Sequence, residues 1–305
     1  MDGLRSGSRR LVAQVLGLVV ALAFLAAALG SQWGDVRQQL GEMEPVPVIL
    51  AMLAVLLGLL ASMLAWRRVL LAVGQPLPVM PAAHTFFVGQ LGKYLPGGVW
   101  AVLGQAEAAS RLGVRRAPTA VAAVTVMVVN VVTGAAVGSL LLVGTGRGAP
   151  VIVAACAAGV VLLHPRVLGA SVRWAHRRLR HSDADVALDG RAVAVTVAWT
   201  LLMWLAYGVQ VLALAMPFGL TGWEALPIAT GAFAVAWTAG FLAVIAPAGA
   251  GVREAALVAV LAPSIGPASA GAVAVVSRLL LTLGDLVWGL VGLAARPNRA
   301  DARRR

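Results

Sequence analysis

The feature of this chain that most constrains its fold is a series of long apolar runs. A helix needs about 20 mostly apolar residues to cross the roughly 30 Å hydrocarbon core of a bilayer. Five runs reach about that length, at 11–31, 47–65, 117–143, 192–216 and 267–294, and a shorter one lies at 150–164. Of the 305 residues 60% are hydrophobic and only 12% are charged, whereas soluble proteins carry about 25% charged residues. The chain is therefore predicted to be an all-α polytopic membrane protein with about six spanning helices.

Two further apolar stretches, 84–110 and 225–262, are interrupted by proline and glycine. The first holds K-Y-L-P-G-G-V-W at 93–100 and the second holds A-P-A-G-A-G-V-R-E at 246–254. Proline removes a backbone donor, and paired glycines disfavour a continuous helix. Each arm of the first stretch has about 12 residues, or about 18 Å of helix, which is too short to cross. The first arm of the second stretch is long enough to cross. Its length therefore allows two courses, a full crossing of the membrane or a re-entrant hairpin that returns to the side it came from.

The positions of Lys and Arg distinguish between these courses, because cytoplasmic loops carry the excess of positive charge. If both interrupted stretches are re-entrant hairpins, 19 of the 24 Lys and Arg residues face the cytoplasm and 2 face outside. If both cross as single helices, the counts become 11 and 10. We therefore predict two hairpins, a location in the cell membrane and cytoplasmic N- and C-termini. The first run follows Arg5, Arg9 and Arg10, and it is expected to stay as an uncleaved signal anchor.

The order of these elements indicates a duplication. Two spans, a hairpin and a span in 1–147 are followed by the same order, with opposite orientation, in 148–305. The hairpins of the two halves occupy about 84–110 and 225–262. Paired interrupted segments in two inverted halves are typical of the binding sites of transporters. We therefore predict an inverted-topology repeat with two opposed re-entrant helical hairpins.

Charged residues lie in or near both interruptions and in the last span. Three cations and three acids are predicted in the membrane segments, namely Lys93, Arg253, Arg278, Glu107, Glu254 and Asp285. Glu107 lies late in the first stretch, near the cytoplasmic interface, and is the weaker candidate. In the hairpin arrangement new helices begin just after Gly98 and Gly251, and helix N-termini attract anions. A phosphate-bearing headgroup would suit this combination. The predicted substrate-binding residues are Lys93, Tyr94, Pro96, Gly97, Gly98, Pro247, Gly249, Gly251, Arg253, Glu254, Arg278 and Asp285.

Structural roles for the same residues remain open. Arg253 could pair with Glu254 or Asp285, or the buried charges could form a four-member network with Arg278. The glycines could serve close packing between helices. Three amides, Gln90, Gln105 and Asn130, could line a polar path or join neighbouring helices.

Little in the sequence favours metal or cofactor chemistry. Cys156 is the only cysteine and the four histidines form no H-E-x-x-H motif, so no metal and no cofactor are predicted. The D-A-D at 183–185 matches a metal pattern of glycosyltransferases, but it lies in a short basic loop, 166–191, without a nucleotide-binding fold around it. The net charge of +12 is concentrated at helix ends, which favours anionic lipid rather than nucleic acid as a partner.

Several motifs resemble the membrane region of lysylphosphatidylglycerol synthase/flippase proteins. They are G-K-Y-L-P-G-G-V-W at 92–100, R-L-G-V at 111–114, P-A-G-A-G-V-R-E-A at 247–255 and S-R-L at 277–279. The resemblance covers about 10–295 and implies movement of lipid between leaflets, with Arg253 and Glu254 as carried-over site residues. Gln105 stands about where an arginine is common in the first motif. The longest soluble stretch has about 26 residues, so we expect a stand-alone flippase-like protein rather than an enzyme.

Three functions follow from this resemblance and these residues. The leading hypothesis is a flippase-like transporter of a phospholipid, an aminoacyl-phospholipid or a polyprenyl-phosphate-linked lipid. No P-loop is present, so an ion gradient or mass action would drive it. The first alternative is a non-transporting membrane partner of a lipid or glycan enzyme. The second is an intramembrane lipid-linked glycosyltransferase, for which Asp35, Glu42 and Glu44 form the outer acidic cluster.

Overall fold

The computed structural model describes residues 38, 41, 43–94, 99–142, 148–178, 188–243 and 249–294. Regular structure in these ranges is entirely helical. The α-helices in chain order are α1 (Pro45–Ala72), α2 (Val79–Gln90), α3 (Trp100–Ser110), α4 (Arg116–Gly138), α5 (Gly148–Leu162), α6 (Pro165–Arg178), α7 (Gly190–Ala215), α8 (Ala225–Leu242), α9 (Val252–Ile265) and α10 (Pro267–Ala294). Short 3₁₀ turns follow three of them, at Leu91–Tyr94, Ser139–Leu142 and Met216–Phe218. The predicted first span at 11–31 lies outside the described residues.

Five of the described helices, α1, α4, α7, α8 and α10, are long and apolar enough to cross a membrane. Ile49 and Leu53 on α1 are more than half exposed, whereas Ala51 and Val55 on its other face are fully buried. Such contiguous exposed apolar surface fits lipid rather than water. The prediction of an all-α polytopic membrane protein is confirmed.

The spanning helices pack closely because glycine lies where two of them meet. A Cβ added at Gly58 of α1 would lie 2.6 Å from a ring carbon of Tyr207 in α7. A Cβ added at Gly284 of α10 would lie 2.6 Å from Cγ1 of Val55. With no large hydrophobic gain between helices in lipid, this close approach and its dispersion contacts stabilise the bundle. The resulting core of α1, α7 and α10 supports the two interrupted segments.

Each interrupted stretch folds as two helices that touch along their backbones. A Cβ added at Gly89 of α2 would lie 2.5 Å from the backbone nitrogen of Gln105 in α3. Gly249 lies just before α9 begins, and a Cβ added there would lie 2.7 Å from Cα of Gly240 in α8. We call the α2–α3 pair the first hairpin and the α8–α9 pair the second hairpin. Both pack against α10.

The order of helices in α1–α4 recurs later in the chain. A long helix, a hairpin and a span make up α1–α4, and the same order recurs in α7–α10. Helices α2 and α3 have 12 and 11 residues, or about 18 and 16 Å. The re-entrant course of the hairpins and the division into inverted halves at 1–147 and 148–305 stay predictions.

Two segments at the start of the predicted second half differ from the sequence interpretation. The predicted span at 150–164 is helix α5, which has 15 residues, or about 22 Å, less than the thickness of a bilayer core. The segment 166–191, interpreted as a loop, is largely helix α6 up to Arg178. Leu168 and Val172 are four residues apart and both buried, so an apolar stripe holds this otherwise polar helix against the bundle. The interpretation of 166–178 as a loop is wrong. Two buried apolar side chains among many polar residues gave too short a hydrophobic pattern to indicate a helix from the sequence.

Candidate functional site

A cavity of about 430 Å³ lies between the two hairpins and the spanning helices. Its wall includes Val99 at the start of α3 and Gly249 before α9, so the two interruptions meet at one space. Charged and polar residues of this wall are Ser62, Gln90, Lys93, Tyr94, Gln105, Asn130, Tyr207, Arg253, Arg278, Thr282 and Asp285. The rest of the wall is mainly apolar or aromatic. A cavity of this size and composition can hold a polar headgroup.

Asp285 of α10 binds the first hairpin through two side chains. Nζ of Lys93 lies 2.8 Å from Oδ1 and 2.7 Å from Oδ2 of Asp285. The hydroxyl of Tyr94 donates to Oδ2 at 2.6 Å. Asp285 is 3% exposed, and a carboxylate so deeply buried persists only when it is paired and hydrogen-bonded. The 3₁₀ turn after α2 therefore places Lys93 and Tyr94 within hydrogen-bond distance of the Asp285 carboxylate.

Arg278, two turns earlier on α10, pairs with the second hairpin. Its Nη1 lies 3.6 Å from Oε1 of Glu254. The other oxygen of Glu254 accepts the backbone N–H of Gly251 at 2.6 Å. Gly251 has a φ of +80°, a conformation that glycine adopts without the strain of a side chain. The prediction that the N-terminus of α9 is free to bind an anion is therefore corrected in one respect, because the N–H group of Gly251 is already bound by Glu254.

Arg253 lines the cavity without an acidic partner among the described residues. No ion pair involves it there, and its buried Nε has no hydrogen-bond partner in the same ranges. The expectation that Arg253 pairs with Glu254 or Asp285 is wrong, because Arg278 and Lys93 hold those two acids. The predicted four-member network is instead two separate pairs plus one cation. Three cations against two acids leave this cluster with one net positive charge.

Three carboxamides face the same cavity from three helices. Gln90 comes from α2, Gln105 from α3 and Asn130 from α4. Gln105 is 3% exposed, and its Oε1 has no hydrogen-bond partner among the described residues. Of the two roles considered for these amides, lining a polar path is the one their position favours. They join no neighbouring helix by a side-chain hydrogen bond within the described ranges.

An aromatic face of α8 forms one wall of the cavity. Phe233, Trp237 and Phe241 follow one another at four-residue intervals and all line it. The rings of Trp237 and Phe241 stack, with centroids 5.2 Å apart and an interplanar angle of 5°. Tyr207 of α7 packs against Phe233 with ring centroids 4.6 Å apart. These residues were not predicted from the sequence, although their i, i+4, i+8 spacing indicates one helical face.

The structure brings most of the predicted site residues together. Lys93, Tyr94, Gly249, Arg253, Arg278 and Asp285 all line the cavity, and Gly251 and Glu254 lie directly behind it. Pro96, Gly97, Gly98 and Pro247 lie outside the described residues. Glu107 is elsewhere, in a surface cluster with Arg111 and Arg116. Within the described ranges, no group of three or more His, Cys, Asp or Glu side chains could hold a metal ion.

Comparison with known proteins identifies one family over nearly the whole chain. The family model for the lysylphosphatidylglycerol synthase TM region matches residues 14–289. This range includes all ten candidate residues that lie in the two hairpins, as well as Arg278 and Asp285. No curated protein sequence matches the chain.

Proposed function

Since the chain belongs to the lysylphosphatidylglycerol synthase transmembrane-region family, we propose that it is a flippase-like transporter of a phosphate-bearing lipid. A phospholipid, an aminoacyl-phospholipid and a polyprenyl-phosphate-linked lipid all carry the required anion. The headgroup would enter the cavity between the hairpins while the acyl chains stay in the bilayer. Movement of the two halves against each other would then expose the cavity to each side in turn.

The observation that carries this proposal is the unpaired Arg253 in the cavity wall. Burying a cation at membrane depth is costly, and such residues mark substrate or ion pathways. Lys93 and Arg278 each have a carboxylate within 4.0 Å, whereas no described carboxylate lies that near Arg253. A phosphate oxygen would supply the missing acceptor through a charge-assisted hydrogen bond.

The apolar part of the cavity wall supports a lipid rather than a small soluble anion as the substrate. The aromatic face of α8 lines the cavity as far as Phe241 and Leu242, and both of these side chains are also exposed on the apolar surface. A soluble anion would need no such apolar exit. A lipid needs one, because its chains remain outside the polar site.

We further propose a cell-membrane location with both termini in the cytoplasm, as the distribution of Lys and Arg indicates. A lipid-modifying enzyme that supplies the cargo is the proposed partner. The family match is to a membrane region, and transport rather than a chemical reaction is the activity proposed for it.

Transport is tested by leaflet exchange in proteoliposomes. Purified protein is reconstituted with a fluorescent phospholipid or, separately, a polyprenyl-phosphate probe, and exchange is read as the fraction of probe accessible to an external quencher. Arg253→Gln is expected to lower the rate at least tenfold, and Arg253→Lys to retain part of it. Removing Arg253 orphans no described carboxylate, so these variants should fold.

The matched control is Arg116→Gln. Arg116 is an exposed arginine that bonds Glu107 at 2.8 Å on the surface, and such pairs contribute little to stability. Its exchange rate should equal that of the unmodified protein. If folded, well-incorporated protein moves neither probe, or if Arg253→Gln and Arg116→Gln behave alike, transport through this cavity is refuted. A role as a non-transporting partner would then take its place.

A further inference from the structure

We propose that the cavity selects phosphate-bearing lipids whose headgroup is rich in hydroxyl groups and lacks an ammonium group, such as a polyol or a sugar joined to phosphate. This inference rests on the proposed function and narrows its cargo. It follows from three properties of the wall: its charge, its carboxamides and its aromatic face.

The charge of the wall disfavours an ammonium-bearing headgroup. Such a group needs a free carboxylate, and Asp285 is the only one that lines the cavity among the described residues. Both oxygens of Asp285 are already bonded, to Lys93 and Tyr94. Glu254 is 3% exposed and faces a separate space of about 10 Å³. An ammonium group would therefore meet a net positive wall at close range, where like charges repel strongly.

The carboxamides of the wall match hydroxyl groups instead. A carboxamide offers one acceptor and two donors, and a hydroxyl group both donates and accepts. Gln105 is almost fully buried with an unpartnered Oε1, and a buried polar atom without a partner destabilises the empty site. A headgroup hydroxyl that donates to Gln105 would satisfy it. Gln90 and Asn130, whose side chains form no hydrogen bonds to other described residues, can bind further hydroxyl groups.

The aromatic face adds a surface for the apolar side of a ring. Trp237 is partly exposed and lines the same cavity as the carboxamides, so a polyol or sugar ring could bind it through its C–H groups while its hydroxyls face the amides. Aromatic rings also attract ammonium groups. Here Arg253 lines the same space, and its charge opposes a second cation. The aromatic wall therefore favours the same neutral, hydroxyl-rich group as the amides.

The test compares three lipids that differ only in the headgroup and carry the same fluorescent acyl chain. Phosphatidylinositol is anionic with a hydroxyl-bearing ring, phosphatidylmethanol is anionic without hydroxyl groups, and lysyl-phosphatidylglycerol carries ammonium groups. In proteoliposomes we expect phosphatidylinositol to exchange at least ten times faster than phosphatidylmethanol, and the lysyl lipid to be slowest. In Gln105→Leu the ratio of the first two rates should fall towards one. Gln75→Leu, at a partly exposed glutamine outside the cavity, is the control and should keep the ratio.

The outcomes separate this inference from the transport proposal. Equal exchange of phosphatidylinositol and phosphatidylmethanol, or fastest exchange of the lysyl lipid, overturns the inference and leaves transport standing. If no lipid moves, transport is refuted, and binding of the dioctanoyl forms in detergent is measured by quenching of tryptophan fluorescence. Preferential binding of the inositol lipid, lost in Gln105→Leu, would still support the selectivity. Equal binding of the three lipids would overturn it.

Discussion

The ion pair between Lys93 and Asp285 provides a quantitative test of the structure. Asp285→Asn removes the carboxylate charge that both Lys93 and Tyr94 bind, and Lys93→Met removes the cation. Each single change leaves a buried group that has lost its counter-ion. The double variant Lys93→Met/Asp285→Asn removes both charges together and leaves none uncompensated.

The expected magnitude follows from the burial of the pair. Breaking a buried ion pair by removing one partner costs about 3–5 kcal/mol. Asp285 is almost fully buried, but the side chain of Lys93 is 30% exposed, so we expect the lower end, about 3 kcal/mol for each single variant. The double variant should be no less stable than either single variant. The coupling free energy is then about 3 kcal/mol, at the upper end of measured pairs.

The free energy of unfolding can be measured by titrating dodecyl sulfate into protein in a mild detergent, with tryptophan fluorescence as the signal. The control is the exposed pair of Arg116 and Glu107, where Glu107→Gln should change the free energy by less than about 1 kcal/mol. If the two single variants add up in the double variant to within about 0.5 kcal/mol, Lys93 and Asp285 do not interact as described. The placement of the first hairpin against α10 would then be wrong.

Further predictions concern the hairpins and the core. Gly89→Ala should destabilise the protein by about 1–3 kcal/mol through overpacking of the first hairpin, whereas Gly159→Ala, whose added Cβ would make an ordinary contact at 3.6 Å, should be neutral or stabilising in the same titration. Glu254→Gln should cost about 3 kcal/mol because it leaves Arg278 without its counter-ion, which thermal unfolding in detergent would detect. Trp204→Phe removes the hydrogen bond to the Thr133 hydroxyl, 2.9 Å long, and should cost about 1 kcal/mol in dodecyl sulfate unfolding. A loss of exchange activity without any loss of stability in Gly89→Ala would contradict its structural role.

Much of the architecture could be predicted because it depends on local properties of the chain. Run length and apolar content identified α1, α4, α7 and α10, since a span needs little beyond about 20 apolar residues. Proline and glycine identified the two hairpins. In the structure the two helices of each hairpin touch closely, at Gly89 in the first hairpin and at Gly249 in the second.

The choice of partners among the buried charges could not be predicted in the same way. Lys93 and Asp285 are 192 residues apart in the chain, and nothing local decides whether Asp285 pairs with Lys93, Arg253 or Arg278. That choice depends on which turn of α10 each hairpin contacts. Helix α6 was missed for another reason, since its apolar stripe consists of Leu168 and Val172 among many polar residues.

The two ion pairs on α10 have opposite polarity, and this bears on how the protein assembles. The first hairpin brings a cation to an acid of α10, and the second hairpin brings an acid to a cation of α10. Exchanging the hairpins would place Lys93 beside Arg278 and Glu254 beside Asp285, so the wrong arrangement is penalised by repulsion. Helix α10 also follows all the other described helices in the chain. During synthesis both hairpins therefore enter the membrane before their counter-ions exist, and we expect them to stay loosely held until α10 is inserted and completes both pairs.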